Sequence, residues 1–471
     1  MTTAATSIDW GLATEALVAS LRDLIRIPSV NPPTADAPEG ELRAARYLAD
    51  ALEAAGLQPT VIEPVPGRGS VHARLHGDGT GGDPLLLLSH LDVVPAPAER
   101  WTHGPFDADL ANGYVYGRGA VDMKNMVAME LAVVLQLAAE ARAAGLDPAR
   151  DPIPGLRRDV LFTCTADEEA GGQAGAAWIV AHHPDWIRAA GALNESGAVS
   201  TTVAGTRFYP IGVAEKGYAA YRILVRGTWG HGSMPREDNA VILAAEVIAR
   251  MAEPEATRLT PVMSRFLDAA AMALPPEAAR VARASAAGVE ALTAATLDGL
   301  CDQRDALVLR ALLRDTISPD VVHAGVKYNV IPGDAVIEVD CRVLPGTTED
   351  AMRARLVERL GPELAAVCTI ELIVWGEPIE APADGRLFEI MAQAIRDHDP
   401  DGIPVPFMVP FATDAKHTAD LGVPTYGFSP LRLEADERLL DRFHGVDERV
   451  SVAALRWGLP VLYDVVRRFC G

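Results

Sequence analysis

Several features that would direct this chain toward other functions are missing from it. Positive charge is scarce, with 42 lysines and arginines against 64 aspartates and glutamates, a formal net charge of −22. Such a surface repels a polyphosphate backbone, which argues against nucleic acid and leaves a small substrate or another protein as partner. The five cysteines (Cys164, Cys301, Cys341, Cys368 and Cys470) are scattered, odd in number and form no CxxC. Neither a disulfide framework nor a thiolate metal site is indicated, and buried reduced thiols are expected. Long apolar runs are absent too: the longest, such as residues 85–88, are strand-sized, so no membrane span is expected. Residues 1–25 lack the basic start and apolar block of a signal peptide, and a cytoplasmic location is the expectation. The chain contains no HExxH and no GxSxG, which removes the zincin arrangement and the nucleophile elbow as sequence motifs.

What is present is ample core material. At 471 residues, 49% hydrophobic and 23% charged, the chain is globular in composition and longer than one hydrophobic core usually serves. Helical spacing of apolar residues at 14–25 and 40–55 is followed by a continuous buried-strand run at 84–89, a helix at 126–144, and further strands at 159–165 and 190–193. An α/β domain with a mixed, mainly parallel sheet flanked by helices follows from that alternation. Each strand ends in acidic or histidine residues, and in open α/β sheets the ligand crevice lies beyond the carboxyl ends of the strands. From residue 217 the style changes to strand (218–225), helix (239–251), a long segment, strand (335–343), helix (349–360) and strand (369–375). Alternating one-face-buried strands of this kind suit a small α+β domain with a four-stranded antiparallel sheet and two helices. Residues 253–315 are alanine-rich and helical in composition, an elaboration of that domain. Helical patterns at 387–397 and 452–469 return to the first style. The expected division is one domain of residues 1–215 and 379–471, interrupted by an inserted domain of residues 216–378.

Five short motifs carry chemistry. The run Ser89-His90-Leu91-Asp92 follows a buried strand, and alternation puts His90 and Asp92 on one face. One can bind metal while the other stands behind it, Asp92 accepting the far ring N–H of His90 and fixing its tautomer. Alone, HxD is weak evidence, and a satisfied structural histidine is the better reading. Gly117-Arg118-Gly119-Ala120-Val121-Asp122-Met123-Lys124 sets a carboxylate in a glycine-bearing turn before a helix, where Asp122 either bridges two ions or caps the helix. Asp167-Glu168-Glu169 ends a strand in three acids, which repel one another unless solvated or bound to cations. Asn194-Glu195-Ser196-Gly197 repeats the theme, and Phe443-His444-Gly445-Val446-Asp447-Glu448 adds a second isolated histidine.

In this order the motifs resemble the M20 metallopeptidase and aminoacylase family, whose signature is HxD, GRGxxDMK, an EE pair, a later acid and a C-terminal histidine. The match runs from Ile27-Pro28-Ser29-Val30 to the last helix. The resemblance implies that His90, Asp122 and Glu195 bind one divalent metal and Asp122, Glu169 and His444 a second. Nitrogen and oxygen ligands suit zinc but admit manganese or cobalt, so zinc is assigned by family. Three ligand carboxylates and a bridging hydroxide would leave such a cluster near neutral. The family pattern then makes Glu168 the general base that serves the attacking water, with Asp92 as its supporting catalytic residue.

The inserted domain resembles the family's lid, also its dimerisation domain. Gly230-His231-Gly232-Ser233 matches the lid histidine that stabilises a tetrahedral oxyanion, often across a homodimer, and Asn329 and Arg342 match substrate-holding positions. Arg342 would grip a carboxylate bidentately; the alternative is an ion pair with a neighbour such as Asp340. The segments around 312–327 and Tyr426-Gly427-Phe428-Ser429-Pro430 look most like the carboxypeptidase S and N-acyl-amino-acid hydrolase branch, with Gly427 counted among the substrate contacts. Phe407, Met408, Phe411, Phe428 and Leu431 would suit an apolar acyl group, or serve as core. Asn125, Met126 and Lys416 depart from residues common in relatives. The implied activity is hydrolysis of an N-acyl amino acid or a C-terminal peptide bond. The alternatives are a dipeptidase or small-acyl deacylase and, in another class, a binding protein on the same fold; the complete ligand set and base count against the last.

Overall fold

The computed structural model describes residues 8–33, 39–286, 303–435, 437, 439 and 441–471. Cys301 and the stretch 287–302 of the alanine-rich segment lie outside the described residues. The chain forms two compact units: residues 1–213, 381–407 and 413–471 make the first, and residues 214–380 with 408–412 the second.

In the first unit, strands Leu85–His90 and Val160–Thr165 are buried at every position, the pattern of strands covered on both faces. They pair in parallel, as do Leu85–His90 with Gly191–Asn194 and Gly191–Asn194 with Thr425–Gly427. Antiparallel strands flank this parallel centre: Thr60–Val65 and Arg68–Leu75 on one side and Thr206–Glu215 on the other. Helices Trp10–Ile25, Lys124–Ala143 and Val452–Cys470 pack together over one face. On the other, Leu86, Leu88 and Leu161 meet Ile179 and Ile187 from the helix Ala176–His182 and the turn after it. Burial of both faces is why the apolar run at 85–88 shows no alternation. The helix Lys124–Ala143 is equally buried for most of its first three turns, including Lys124, whose Nζ donates to the carbonyls of Leu24 and Ile27.

The second unit is a four-stranded antiparallel sheet in the order Thr316–Ala324, Asp334–Val343, Gly217–Arg226, Cys368–Gly376. Strict alternation of burial along Asp334–Val343 sets one face against the helices Ala240–Met251 and Glu349–Ala365, with Tyr221, Ile223, Val225, Val247, Ile337, Val339 and Leu356 at the core. The fourth strand, Thr316–Ala324, has no apolar alternation because it is an edge with most of its side chains exposed. Pro319 is tolerated there at a bulge between residues 319 and 321, which an interior strand would not allow. Helices Pro261–Ala273, Pro276–Ala286 and Gln303–Leu312 occupy the alanine-rich segment. Among the described residues no helix is long and apolar enough to cross a membrane.

Candidate metal centre

Parallel pairing delivers the ligands. His90 lies opposite Thr165 at the carboxyl ends of adjacent strands, and Glu195 follows the end of the strand on the other side. The turn Gly117–Met123 brings Asp122, and His444 comes from the loop ahead of strand Arg449–Ser451, which pairs with Tyr114–Tyr116.

Asp122 stands between the two histidines. Its Oδ1 is 3.2 Å from His90 Nε2 and its Oδ2 is 3.1 Å from His444 Nε2. Glu195 Oε1 lies 3.6 Å from His90 Nε2, and Glu169 Oε2 lies 3.2 Å from His444 Nε2. Glu168 shares one group of candidate ligand atoms with His90 and Glu195, while Asp122, Glu169 and His444 make the other. Asp122 is therefore no helix cap: the residue before helix Lys124–Ala143 is Met123, without a side-chain cap bond, after a cis Asp122–Met123 peptide.

The electrostatics are those of a cluster short of positive charge. Burial opposes a charged His90, yet Glu195, Asp122 and Asp92 outweigh it and hold His90 well above the usual imidazole range. Hydrogen bonds to Asp122 and Glu169 raise His444 to about 10. Burial followed by the charge of Asp122 drives the Glu195 carboxyl well above its ordinary value, and burial raises Glu169 as well. Burial disfavours the Asp122 carboxylate too, but its bonds to His444 and His90 prevail and lower its pKa. Glu169 Oε1 is buried without a hydrogen-bond partner. Oxygen and imidazole donors, an orphaned buried carboxylate oxygen and protons drawn onto both histidines fit a pair of divalent cations.

Glu168 is the acid that neither histidine contacts. Its carboxylate lies 3.7 Å from Lys416 Nζ. Burial, with the charges of Asp414 and Asp92 behind it, pushes the Glu168 carboxyl up to about 8, against the pull of His90 and Lys416. Asp92 is fully buried, and its link to His90 is shared: His90 Nδ1 is 3.1 Å from the Asp92 main-chain carbonyl and 3.4 Å from its Oδ1. The same carboxylate accepts the backbone N–H of Glu168 at 3.1 Å and of Glu169 at 3.0 Å, and the Asn31 amide at 2.8 Å. Asp92 thus holds the acidic turn as well as the histidine.

The first acid of the triplet turns away. Asp167 takes a left-handed conformation (φ 70°), accepts the N–H of Ala174 at 2.9 Å and meets Asn31 at 3.3 Å. Arg68 bonds Asn31 and Glu41, and Glu41 accepts the Asp167 N–H at 3.2 Å. On the far side of the turn His417 Nε2 lies 3.0 Å from the Gly171 carbonyl. Sequence reasoning missed this support, although Asn31 directly follows the quoted Ile27–Val30 run, and Arg118 and Glu448 stand inside motifs read for Asp122 and His444. Gly427 has a packing reason: a Cβ there would come within 2.7 Å of the Glu195 and Ser196 carbonyls. Met408, Phe428 and Leu431 are fully buried and offer a ligand no surface, so of that apolar set only the half-buried Phe407 and Phe411 face outward at all.

In the second unit, His231 and Asn329 come together. His231 is exposed on a two-stranded ribbon opposite Val330, and the next residue, Gly232, donates its N–H to the Asn329 carbonyl at 2.9 Å. The hydroxyl of Ser233 lies 2.8 Å from His231 Nδ1, which leaves Nε2 outward. Arg342 is on the larger sheet and forks onto Asp340 at 2.8 and 3.1 Å, the ion pair that sequence left as its alternative role.

Known proteins are similar to this chain in sequence and fold. One relative, the N-fatty-acyl-amino acid synthase/hydrolase of Xenopus tropicalis, is 27% identical over 93% of this chain and 83% of its own. A probable carboxypeptidase S-like protein of Dictyostelium discoideum is 25% identical over 82% of this chain and 71% of its own. The fold is similar to that of an M20 family metallo-carboxypeptidase from Sulfolobus solfataricus, with a TM-score of 0.69 at 16% identity, covering 96% of this chain and 99% of that one. The model of peptidase family M20/M25/M40 matches residues 86–468, a span that holds every ligand described above, and the chain is an enzyme belonging to that family.

Proposed function

We propose that this enzyme hydrolyses the amide bond of an N-acyl amino acid, or the C-terminal bond of a short peptide, and releases a free amino acid. The observation that carries the reading is Asp122 standing between His90 and His444, with Glu195 beside the first and Glu169 beside the second, while Glu168, grouped with His90 and Glu195, is paired with Lys416. His90, Asp122 and Glu195 would hold one divalent ion, and Asp122, Glu169 and His444 the other; zinc is favoured by family, with manganese and cobalt compatible with the same donors. Bound there, the ions would polarise the scissile carbonyl and acidify water.

Glu168 takes a proton from the attacking water as the new C–O bond forms, and returns it to the nitrogen as the C–N bond breaks. Asp92 fixes where that carboxylate stands, through the N–H groups of Glu168 and Glu169. His231 and Asn329 would donate to the developing oxyanion, and Arg342 would exchange Asp340 for the substrate carboxylate. Gly427 keeps the backbone behind Glu195 close. Pairing of two copies through the second unit belongs to the same reading, supported by the exposed apolar side chains of Trp229, Met234, Val241 and Ile242.

The test is amine release from a panel of N-acyl amino acids of graded acyl length and from dipeptides. Turnover of acyl amino acids, lost on chelation and restored by metal, is expected. Turnover confined to dipeptides would overturn the substrate assignment.

A further inference from the structure

Asp122 and His444 come from segments more than three hundred residues apart, and one buried ion pair reaches both. Glu448 and Arg118 are 0% and 3% exposed. Glu448 Oε1 accepts the backbone N–H of Val121 at 2.8 Å and of Asp122 at 3.2 Å, while Oε2 takes Arg118 Nη1 at 2.5 Å. Arg118 Nη2 donates to the main-chain carbonyl of His444 at 3.2 Å. The Glu448 carbonyl in turn accepts the Gly117 N–H at 2.9 Å, and Trp101 covers the guanidinium at 5.3 Å.

Energetics alone gives little reason for such a pair, because desolvating two charges cancels much of their attraction. Its geometry gives one. Three of its side-chain hydrogen bonds end on the backbone of the two segments that carry Asp122 and His444. His444 needs that help: its side chain is 53% exposed and its φ is +55°, so neither burial nor regular structure fixes the ring. Asp447 provides a further anchor at the loop, accepting the Thr102 N–H at 2.7 Å and the His103 N–H at 3.5 Å. His90 and Glu195 are held by the sheet and receive nothing from the pair.

We infer that Arg118 and Glu448 form a positioning latch that acts mainly on one metal position, by setting the distance between Asp122 and His444, while His90 and Glu195 are held by the sheet. The inference rests on the two-ion reading. Titration of the metal-free protein with Zn2+, following stoichiometry and affinity calorimetrically, tests it. Wild type takes up two equivalents. Glu448→Gln, which removes the charge that pairs with the guanidinium, keeps one equivalent near wild-type affinity and binds the second about 10- to 100-fold more weakly. Arg118→Lys, which keeps the charge but cannot span Glu448 and the His444 carbonyl, behaves the same way, and it decides the matter if Glu448→Gln does not fold. His444→Ala should reproduce the pattern. Two unchanged equivalents in a folded variant, or equal weakening of both, would overturn the latch while sparing the two-ion reading. Fewer than two equivalents in wild type would overturn both.

Discussion

The two halves of the metal centre are built by different means. His90 stands at the end of a strand buried on both faces, is itself 2% exposed, and faces Glu195 from the neighbouring strand. His444 stands on a loop, half in solvent, tied to Asp122 by a side-chain pair. The sheet holds the first half as a by-product of its own core, because moving His90 would mean moving strands whose every residue is packed. The second half has no such core beneath it and depends on hydrogen bonds reaching across the chain. A rigid half and a tethered half sharing Asp122 should therefore fail differently.

Asp122→Asn attacks what the halves share and should have the largest effect. With one carboxylate charge gone from both groups, metal content measured by mass spectrometry should fall for both ions and turnover should vanish. Retention of one tight ion would show that Asp122 serves a single position. Next come the two histidines compared. His90→Ala opens a void in packed surroundings and should lower unfolding free energy by about 2–4 kcal/mol. For the half-exposed His444, the same change removes less packing and should cost less than His90→Ala, while weakening metal binding. Equal losses in chemical denaturation of the metal-free variants would break the comparison.

The smallest change in activity, with an effect on stability instead, is expected at His72. It lies buried on strand Arg68–Leu75, stacked on Trp186 at 4.5 Å and 2.9 Å from the Thr163 hydroxyl. Burial, aided by the charge of Arg74, pushes its pKa down to about 3. The unfolded chain titrates near 6.5, so between those values it binds the proton that the folded form refuses, and stability is lost as pH falls through that window. At pH 5 the loss amounts to about 2 kcal/mol. His72→Phe, which keeps the stack, should flatten the decline in denaturation midpoint between pH 7 and pH 5. An unchanged decline would remove His72 as its source.

The same contrast explains what the sequence showed and what it hid. The strand ends that carry His90, Glu168, Glu169 and Glu195 were legible because continuous apolar runs mark buried parallel strands, whose carboxyl ends line the ligand crevice, while the separate roles of these residues came from the family pattern. Asp122 and His444 came from motif order, since neither segment's local pattern distinguishes a ligand from a cap or a surface histidine. Arg118, Glu448 and Asn31 stood beside those residues, yet their roles are distances between segments far apart in the chain, which periodicity does not encode. Asp167 read as one more acid because the left-handed turn that points it away is a backbone property. Edge strand Thr316–Ala324 escaped strand patterning for a similar reason: with both faces largely exposed, it has no apolar alternation to detect.

Glu168 tests the chemistry most directly, because it lies in the group of His90 and Glu195 and the proposal makes it the base and not a ligand. Metal stoichiometry and kcat should be measured on the same preparation of Glu168→Gln, against the best acyl amino acid. Both ions retained with kcat lowered by about 10²–10⁴-fold is the predicted result. Near-normal kcat with both ions bound would contradict the assignment of Glu168 as the base.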